Sequence, residues 1–506
     1  MTDNTGLSRR VFLSRAGGLT LVLGAGGLLG ARARGAAPRS PYAGGVWLAG
    51  DHHIHTKYSP DGQYEIGRQV ANAGRYGLSW CVITDHGGPH HDRVALEQAY
   101  PELLEARRRN PNLTVFQGME WNIPSAEHGS IIVPIGSEEA QRVSEFERLF
   151  DEKNQSKAGA HNRSEADAVE AVQYLESLNP RPLFMANHPA RRGLDSPHEM
   201  RAWAEAGPHV AHGFEGAPGH QGSTLVGGAR GEYDNVPGPK SFAGYPAEAY
   251  RTWGGYDWYV AQVGGLWDSL LGEGREWFIT ANSDSHRHYD DHAALDTSTY
   301  LTKGFVTDTG KTAEKGTEPD FYPGEYSKTW VFARTNGSED ILNSLRSGSM
   351  FTTLGDLVDR VEFWAAADGS AARMGGTLAL SGPGETVDIV ARVRVPDRPN
   401  FGGRSRELHH IDVIAGDILG PAADRDAFRN PSTQVIAQIP AAEARREGPL
   451  LTFRWRMREV RGDQYVRIRG TNTDVSAPRM DRLGVDPWSD LWFYSNPIFL
   501  RLPKGA

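Results

Sequence analysis

The chain has 506 residues, 39% hydrophobic and 23% charged, which suits a globular protein of two or three domains rather than a disordered one. Its net charge of −9 gives nucleic acid or an anionic membrane no global attraction. Cys81 is the only cysteine, which excludes an internal disulfide and a multi-cysteine metal site.

Arg9 and Arg10 stand in Ser8-Arg9-Arg10-Val11-Phe12-Leu13, ahead of a Gly/Leu/Ala-rich run over 16–31. This resembles a twin-arginine signal, and residues 1–37 are read as one, with small-residue cleavage positions at Ala31-Arg32-Ala33 and Gly35-Ala36-Ala37. The run is short and glycine-rich for a bilayer span, so no membrane span is expected after cleavage, with a poorly cleaved membrane anchor as the alternative. No cysteine follows it that could carry a lipid. The mature chain is expected in the periplasm or outside the cell. Twin-arginine export moves folded cargo, which suits a protein that loads metal first.

From 46 to about 336, short apolar runs alternate with helical patterns. Trp80-Cys81-Val82-Ile83, Leu183-Phe184-Met185-Ala186 and Trp277-Phe278-Ile279-Thr280 read as buried parallel strands. The apolar spacing predicts helices over 66–76, 94–109, 166–178 and 258–271. Repeated strand–helix units imply an α/β architecture, open sheet or barrel. Residues 216–255, rich in Gly and Pro, read either as a functional loop beside the site or as a packed insertion. A helix is predicted over 339–347. After Leu357 the texture changes to alternating runs such as Val361-Glu362-Phe363-Trp364 and Tyr465-Val466-Arg467-Ile468-Arg469, the pattern of an all-β sandwich. The expected domains are 38–355 and 356–506.

Of the 18 histidines only His409 and His410 follow His292, so a His-built site belongs to the α/β region. In Asp51-His52-His53-Ile54-His55, strand alternation turns Asp51, His53 and His55 one way and His52 and Ile54 the other. A His-x-His pair on one face can chelate a single ion, although two surface histidines are the bland alternative. Asp61 follows in the turn Ser59-Pro60-Asp61-Gly62. Four further groups each follow an apolar run: Thr84-Asp85-His86, then Glu120 with His128, then Asn187-His188-Pro189, then Asn282-Ser283-Asp284-Ser285-His286. A lone His at a strand end is commonly structural. Strand carboxyl ends, however, meet at one face of an α/β fold, and five such placements there point to metal.

His53-x-His55, Asp61, Thr84-Asp85-His86, Glu120, His128, His188 and Asp284-x-His286 resemble, in order, the motifs of the polymerase and histidinol phosphatase (PHP) superfamily, over about residues 50–290. Leu345-Arg346-Ser347-Gly348-Ser349-Met350-Phe351-Thr352-Thr353 and Ser495-Asn496-Pro497-Ile498 are similar to the PHP subgroup that includes carbaryl-hydrolase-type metallohydrolases, which carry a trailing β domain. The resemblance implies a distorted (β/α)7 barrel followed by a β sandwich, with two or three divalent metal ions. By position, His53, His55, Glu120 and Asp284 would hold one ion. Glu120 would bridge to a second, held also by His128 and His188. Asp61, His86 and His286 would hold the third. Such N and O donors suit Zn, Mn or Fe. The amidohydrolase barrel also begins with His-x-His, but the Thr84-Asp85-His86 and Asp284-x-His286 pair fits PHP better.

Glu120 and Asp284 are the candidate catalytic carboxylates. Arg191 and Arg192 could grip a phosphate, or be solvated loop charges. Asp85 could orient a ring, or equally make a structural hydrogen bond. Glu215 could line the pocket, with His220 and Lys57 similarly placed, while His90, His91, His288 and His292 match no motif. The expected function is hydrolysis of a small-molecule phosphoester by a metal-bridging hydroxide. A carboxyl ester, carbamate or amide is the alternative, and a non-catalytic secreted binding protein is a third reading.

Overall fold

Short apolar runs separated by amphipathic helices leave few ways to bury both faces of each strand, and the strands line up in one long mixed sheet. The computed structural model describes residues 39–154, 162–227, 233, 237–312 and 319–503. Seven strands lie side by side in chain order: β1 Val46–Asp51, β2 Trp80–Ile83, β3 Thr114–Asn122, β4 His128–Ile132, β5 Leu183–Ala186, β6 Ala211–Ala217 and β7 Phe278–Ala281. β1, β2 and β3 pair in parallel, as do β5, β6 and β7. β2, β5 and β7 are buried at every residue, as strands covered on both faces must be. Helix α1, Ile66–Arg75, buries Ile66, Val70 and Ala73. The helix expected over 94–109 starts at His91 and passes through a π turn, Ala95–Ala99. The one expected over 258–271 is two, Trp258–Ala261 and Leu266–Gly272, parted at Gly264, whose φ of +77° glycine adopts at no steric cost.

The seven-stranded barrel expectation needs correcting in two respects. β4 is antiparallel to both neighbours, because residues 123–127 make a hairpin too short for the crossover that a parallel pair requires. The ladder also runs on past β1 instead of closing: β8, Ser327–Ala333, pairs antiparallel with β1, and β9, Met350–Leu354, with β8. The far edge of β7 is met mainly by side chains. Thr329 Oγ1 accepts from Ala281 N and donates to Ala281 O, both at 2.8 Å. Asn496 does the same for Ile279, at 2.9 and 3.1 Å. Beyond β7, a parallel bridge between Ile54 and Ser285, with His55 N donating to Ser285 O at 3.0 Å, joins the segments that follow the first and last strands.

The strands after residue 356 form two sheets. One is a five-stranded antiparallel sheet that includes Arg360–Ala367, Glu385–Arg394 and Leu450–Val460. The other continues the main ladder: β9 pairs with Trp492–Ser495, and that strand with Gln464–Thr471. The ladder therefore crosses the expected boundary at 355, and Pro38–Ala506 forms one compact unit with a hydrophobic core shared by Phe116, Trp277, Ile389 and Phe493. A buried pair, Arg467 Nη2 to Asp268 Oδ2 at 2.7 Å, ties the helix Leu266–Gly272 to the C-terminal strands. Within 216–255 some of the described residues are buried and others exposed: Tyr245, buried, donates to Asp195 O at 2.9 Å, and Ser241 donates to Arg192 O at 2.6 Å, while 237–240 are exposed. Among the described residues no helix is long and apolar enough to cross a membrane. The signal expected over 1–37 lies outside them.

Candidate metal centre

The sheet brings the strand ends of the motifs to one point. His53 and His55 follow β1, His86 follows β2, Glu120 lies near the end of β3, and His188 and Asp284 follow β5 and β7. His128 opens β4, and because β4 is antiparallel its first residue falls where its neighbours have their last. Alternation after β1 works as expected. His53 and His55 face the cluster, while His52 turns away to Thr280 Oγ1 at 2.7 Å and Ser130 Oγ at 3.3 Å. Asp51 accepts from the backbone of His53 and Ser283 instead of joining the cluster.

Glu120 is the hub. Its Oε1 lies 3.1 Å from His53 Nε2, His128 Nδ1 and His188 Nε2. Its Oε2 lies 3.2 Å from His55 Nε2 and 3.1 Å from His86 Nδ1. Asn187 Nδ2 donates to Oε1 at 2.9 Å. Asp284 Oδ1 stands 3.0 Å from His53 Nε2 and 3.1 Å from His55 Nε2, and those two nitrogens are 3.0 Å apart.

This spacing suits a first-row cation. Bonds of about 2.0 Å set tetrahedral ligands about 3.3 Å apart, and bonds of about 2.1 Å set neighbouring octahedral ligands about 3.0 Å apart. His53 Nδ1 donates to Glu215 Oε1 at 2.7 Å, so a neutral ring presents the Nε2 lone pair to His55 Nε2 and two carboxylate oxygens. Such a set of acceptors needs positive charge at its middle, either as protons on the rings or as a metal ion. His86 Nδ1 and His188 Nδ1 are buried without hydrogen-bond geometry to any partner among the described residues, His86 Nδ1 despite its closeness to Glu120. The donor set fits a metal.

The converging donors match the expected division only in part, and His128 and His188 also meet Glu127. His53, His55, Glu120 and Asp284 meet as expected, but His86 falls both with Glu120 and His128 and with His55, Asp61 and His286. Asp61, half-buried at the rim, lies 3.5 Å from both His86 Nε2 and His286 Nε2.

The charges follow from this crowding. Burial pushes the Glu120 and Asp284 carboxyls up, but the rings around them, His53 foremost, hold both well below the usual range. Burial pushes His86 and His188 down to about 3. It works the same way on His286 and His53, yet Asp61 and Asp284 bring His286 up to about 10, and Asp284, Glu120 and Glu215 raise His53.

Residues outside the motifs hold the cluster in place. Glu215 bonds His53 and accepts from His188 N at 2.7 Å. Ser59 Oγ meets His55 Nδ1 at 2.7 Å and accepts from His86 N at 2.9 Å. His220 reaches Asp284, and Asp320, which no sequence pattern indicated, bonds both His220 and His286. Four further candidates face other partners. Asp85 makes the structural hydrogen bonds of its second reading, accepting from Thr56 N at 2.6 Å and Thr56 Oγ1 at 2.7 Å. Lys57 turns to Glu65 and Glu102. Arg191 and Arg192 both reach Glu127, at 3.3 and 3.4 Å, with Arg191 buried and Arg192 exposed. Burial pushes Glu127 up, and Arg191 brings it down to about 2.

A family model, the PHP domain, matches residues 51–176. That span includes His53, His55, Asp61, His86, Glu120 and His128, and stops short of His188, Asp284 and His286. No curated protein matches the chain. Among solved structures, a two-domain protein from Bacteroides vulgatus ATCC 8482, described as containing a predicted PHP-like metal-dependent phosphoesterase, is 16% identical. The match covers 90% of this chain and 99% of that one, with a TM-score of 0.36. A candidate metal-dependent phosphoesterase from Bifidobacterium adolescentis ATCC 15703 is 15% identical, over 53% of this chain and 92% of that one, with a TM-score of 0.26. At these scores neither structure bears on activity.

Proposed function

We propose that this chain is an exported, metal-dependent hydrolase of small-molecule phosphoesters. The proposed ligands are His53, His55, Asp61, His86, Glu120, His128, His188, Asp284 and His286, for two or three ions of Zn, Mn or Fe. The observation that carries the reading is the convergence of His53 Nε2, His55 Nε2, Glu120 and Asp284 Oδ1 at edges of 3.0–3.2 Å. The PHP domain match over 51–176 supports it from the sequence. Ions held there would acidify a water for attack near neutral pH and neutralise charge developing on the substrate. The chain's own part is to keep Glu120 and Asp284 ionised, to orient the rings through Glu215 and Ser59, and to hold substrate at the rim.

A second reading, hydrolysis of a carboxyl ester, carbamate or amide, is favoured by one observation. Glu127 stands against both Arg191 and Arg192, so their charge is partly spent before any substrate arrives. The test is turnover of phosphomonoesters, phosphodiesters, carboxyl esters and carbamates by metal-reconstituted protein, beside the chelated form. Phosphoester turnover that appears only with metal is expected. Faster turnover of neutral esters would favour the second reading, and no metal-dependent turnover of any would refute both.

A further inference from the structure

His220 reaches the centre from the segment that follows β6, three residues past its end, as Asp284 does after β7. It lies in Gly219-His220-Gln221-Gly222, just before the turn Gln221–Val226. A Cβ on Gly219 would stand 2.1 Å from Ser283 O and 2.2 Å from Asp284 Cβ, and one on Gly222 would stand 2.6 Å from the Asp320 carbonyl carbon. Glycine on each side therefore lets the loop press against the Ser283 carbonyl and Asp284 Cβ on one side and the Asp320 backbone on the other. His220 itself takes φ +66° and Asp284 φ +47°, left-handed conformations that residues with side chains adopt only at a cost.

The His220 ring is buried between two carboxylates. Nδ1 lies 2.5 Å from Asp320 Oδ1, and Nε2 stands 2.7 Å from Asp284 Oδ2, a charge contact without hydrogen-bond alignment. The other oxygen of Asp284, Oδ1, faces His53 and His55. Asp320 is fixed in turn, its Oδ2 accepting from His286 N at 2.6 Å, and Pro319–Asp320 pairs as a short strand with Arg287–His288.

We propose that His220, braced by Asp320, is a positioning residue of the metal centre: it holds Asp284 Oδ2 and so presents Oδ1 as the single oxygen offered to the ion shared with His53, His55 and Glu120. This rests on the metal-centre reading above. A carboxylate free to rotate could offer both oxygens or swing off, and the ring removes that freedom. Asp320 couples the device to His286, so one carboxylate steadies groups around two proposed ions.

Metal content and chelator competition, measured on full-length wild type, His220→Ala and His220→Gln, test it. In His220→Ala one ion should weaken about 10–100-fold while the others stay, the usual cost of losing a group that steadies a ligand. Glutamine can place a donor near the Nε2 position, so His220→Gln should recover most of that affinity. The visible absorption of the Co(II)-loaded protein should change in His220→Ala and return in His220→Gln. If His220→Ala does not fold, Asp320→Ala carries the test, with the same loss expected at the ion of Asp284 and a second loss at the ion of His286, whose backbone N–H Asp320 accepts. Wild-type affinity in the folded alanine variant overturns the proposal. So does a glutamine variant that loses the ion as fully as alanine, since the ring would then be a ligand. Wild-type protein that binds no ion would remove the metal centre itself, and this device with it.

Discussion

Glu120→Gln keeps the shape of the hub and removes its charge. In the native arrangement one carboxylate serves nitrogens on both sides, with His53, His128 and His188 at Oε1 and His55 and His86 at Oε2. The amide would turn an NH2 toward one of these sets and keep only a neutral oxygen for the other. Losing a group that merely steadies a ligand costs about 10–100-fold in metal affinity. A carboxylate shared by two ions should exceed that at each, so both are expected to weaken by more than about 100-fold, or ~2.7 kcal/mol per ion. Glutamine leaves no uncompensated buried charge, so the fold should survive. Elemental analysis after reconstitution at a fixed low metal concentration should find a loss of more than one ion, with turnover falling in step. A folded variant with full metal content and wild-type turnover would refute the bridging role.

Metal uptake should release protons, because His53 and His286 are raised in the ion-free cluster, His286 to about 10, and an ion must displace what they hold. Affinity should therefore fall as pH is lowered, and calorimetry in buffers of different ionisation enthalpy that finds no proton release would contradict this. Arg192, exposed at the rim, should matter for an anionic substrate: Arg192→Ala is expected to lower kcat/KM for phosphoesters about ten-fold or more and to spare neutral esters. Equal losses on both would remove it from substrate binding. Arg191→Ala should instead disturb Glu127, visible as a change in metal content as well as in rate. Arg9→Lys with Arg10→Lys should stop export, and normal accumulation of the double variant outside the cytoplasm would show another route.

The motifs were legible in the sequence because their chemistry is local. An apolar run followed by His, Asp or Glu needs only strand alternation and the meeting of strand ends to predict a cluster, and the structure gathers the nine motif residues there, Asp61 at the rim. Glu215 was legible as a residue at a strand end, and His220 as one similarly placed beside the pocket, though not its hold on Asp284 and Asp320. Asp320 was not, since it stands on a two-residue strand with no periodic pattern, and its value comes from the loop laid against it. The arginines after His188 read as free charges because their partner, Glu127, lies 64 and 65 positions earlier in the chain. The run over 356–506 showed β texture, but alternation says only which face is buried and not which edge a strand finds. That one of the two C-terminal sheets joins the main ladder depends on β9 meeting Trp492–Ser495 across more than 130 residues of chain. The antiparallel turn of β4 and the open ladder beside β1 are pairings of the same kind. Residue type and spacing determine local periodicity and ligand chemistry, while pairing between distant strands is decided by the competition of whole edges for hydrogen bonds and buried area, which exists only once the chain has folded.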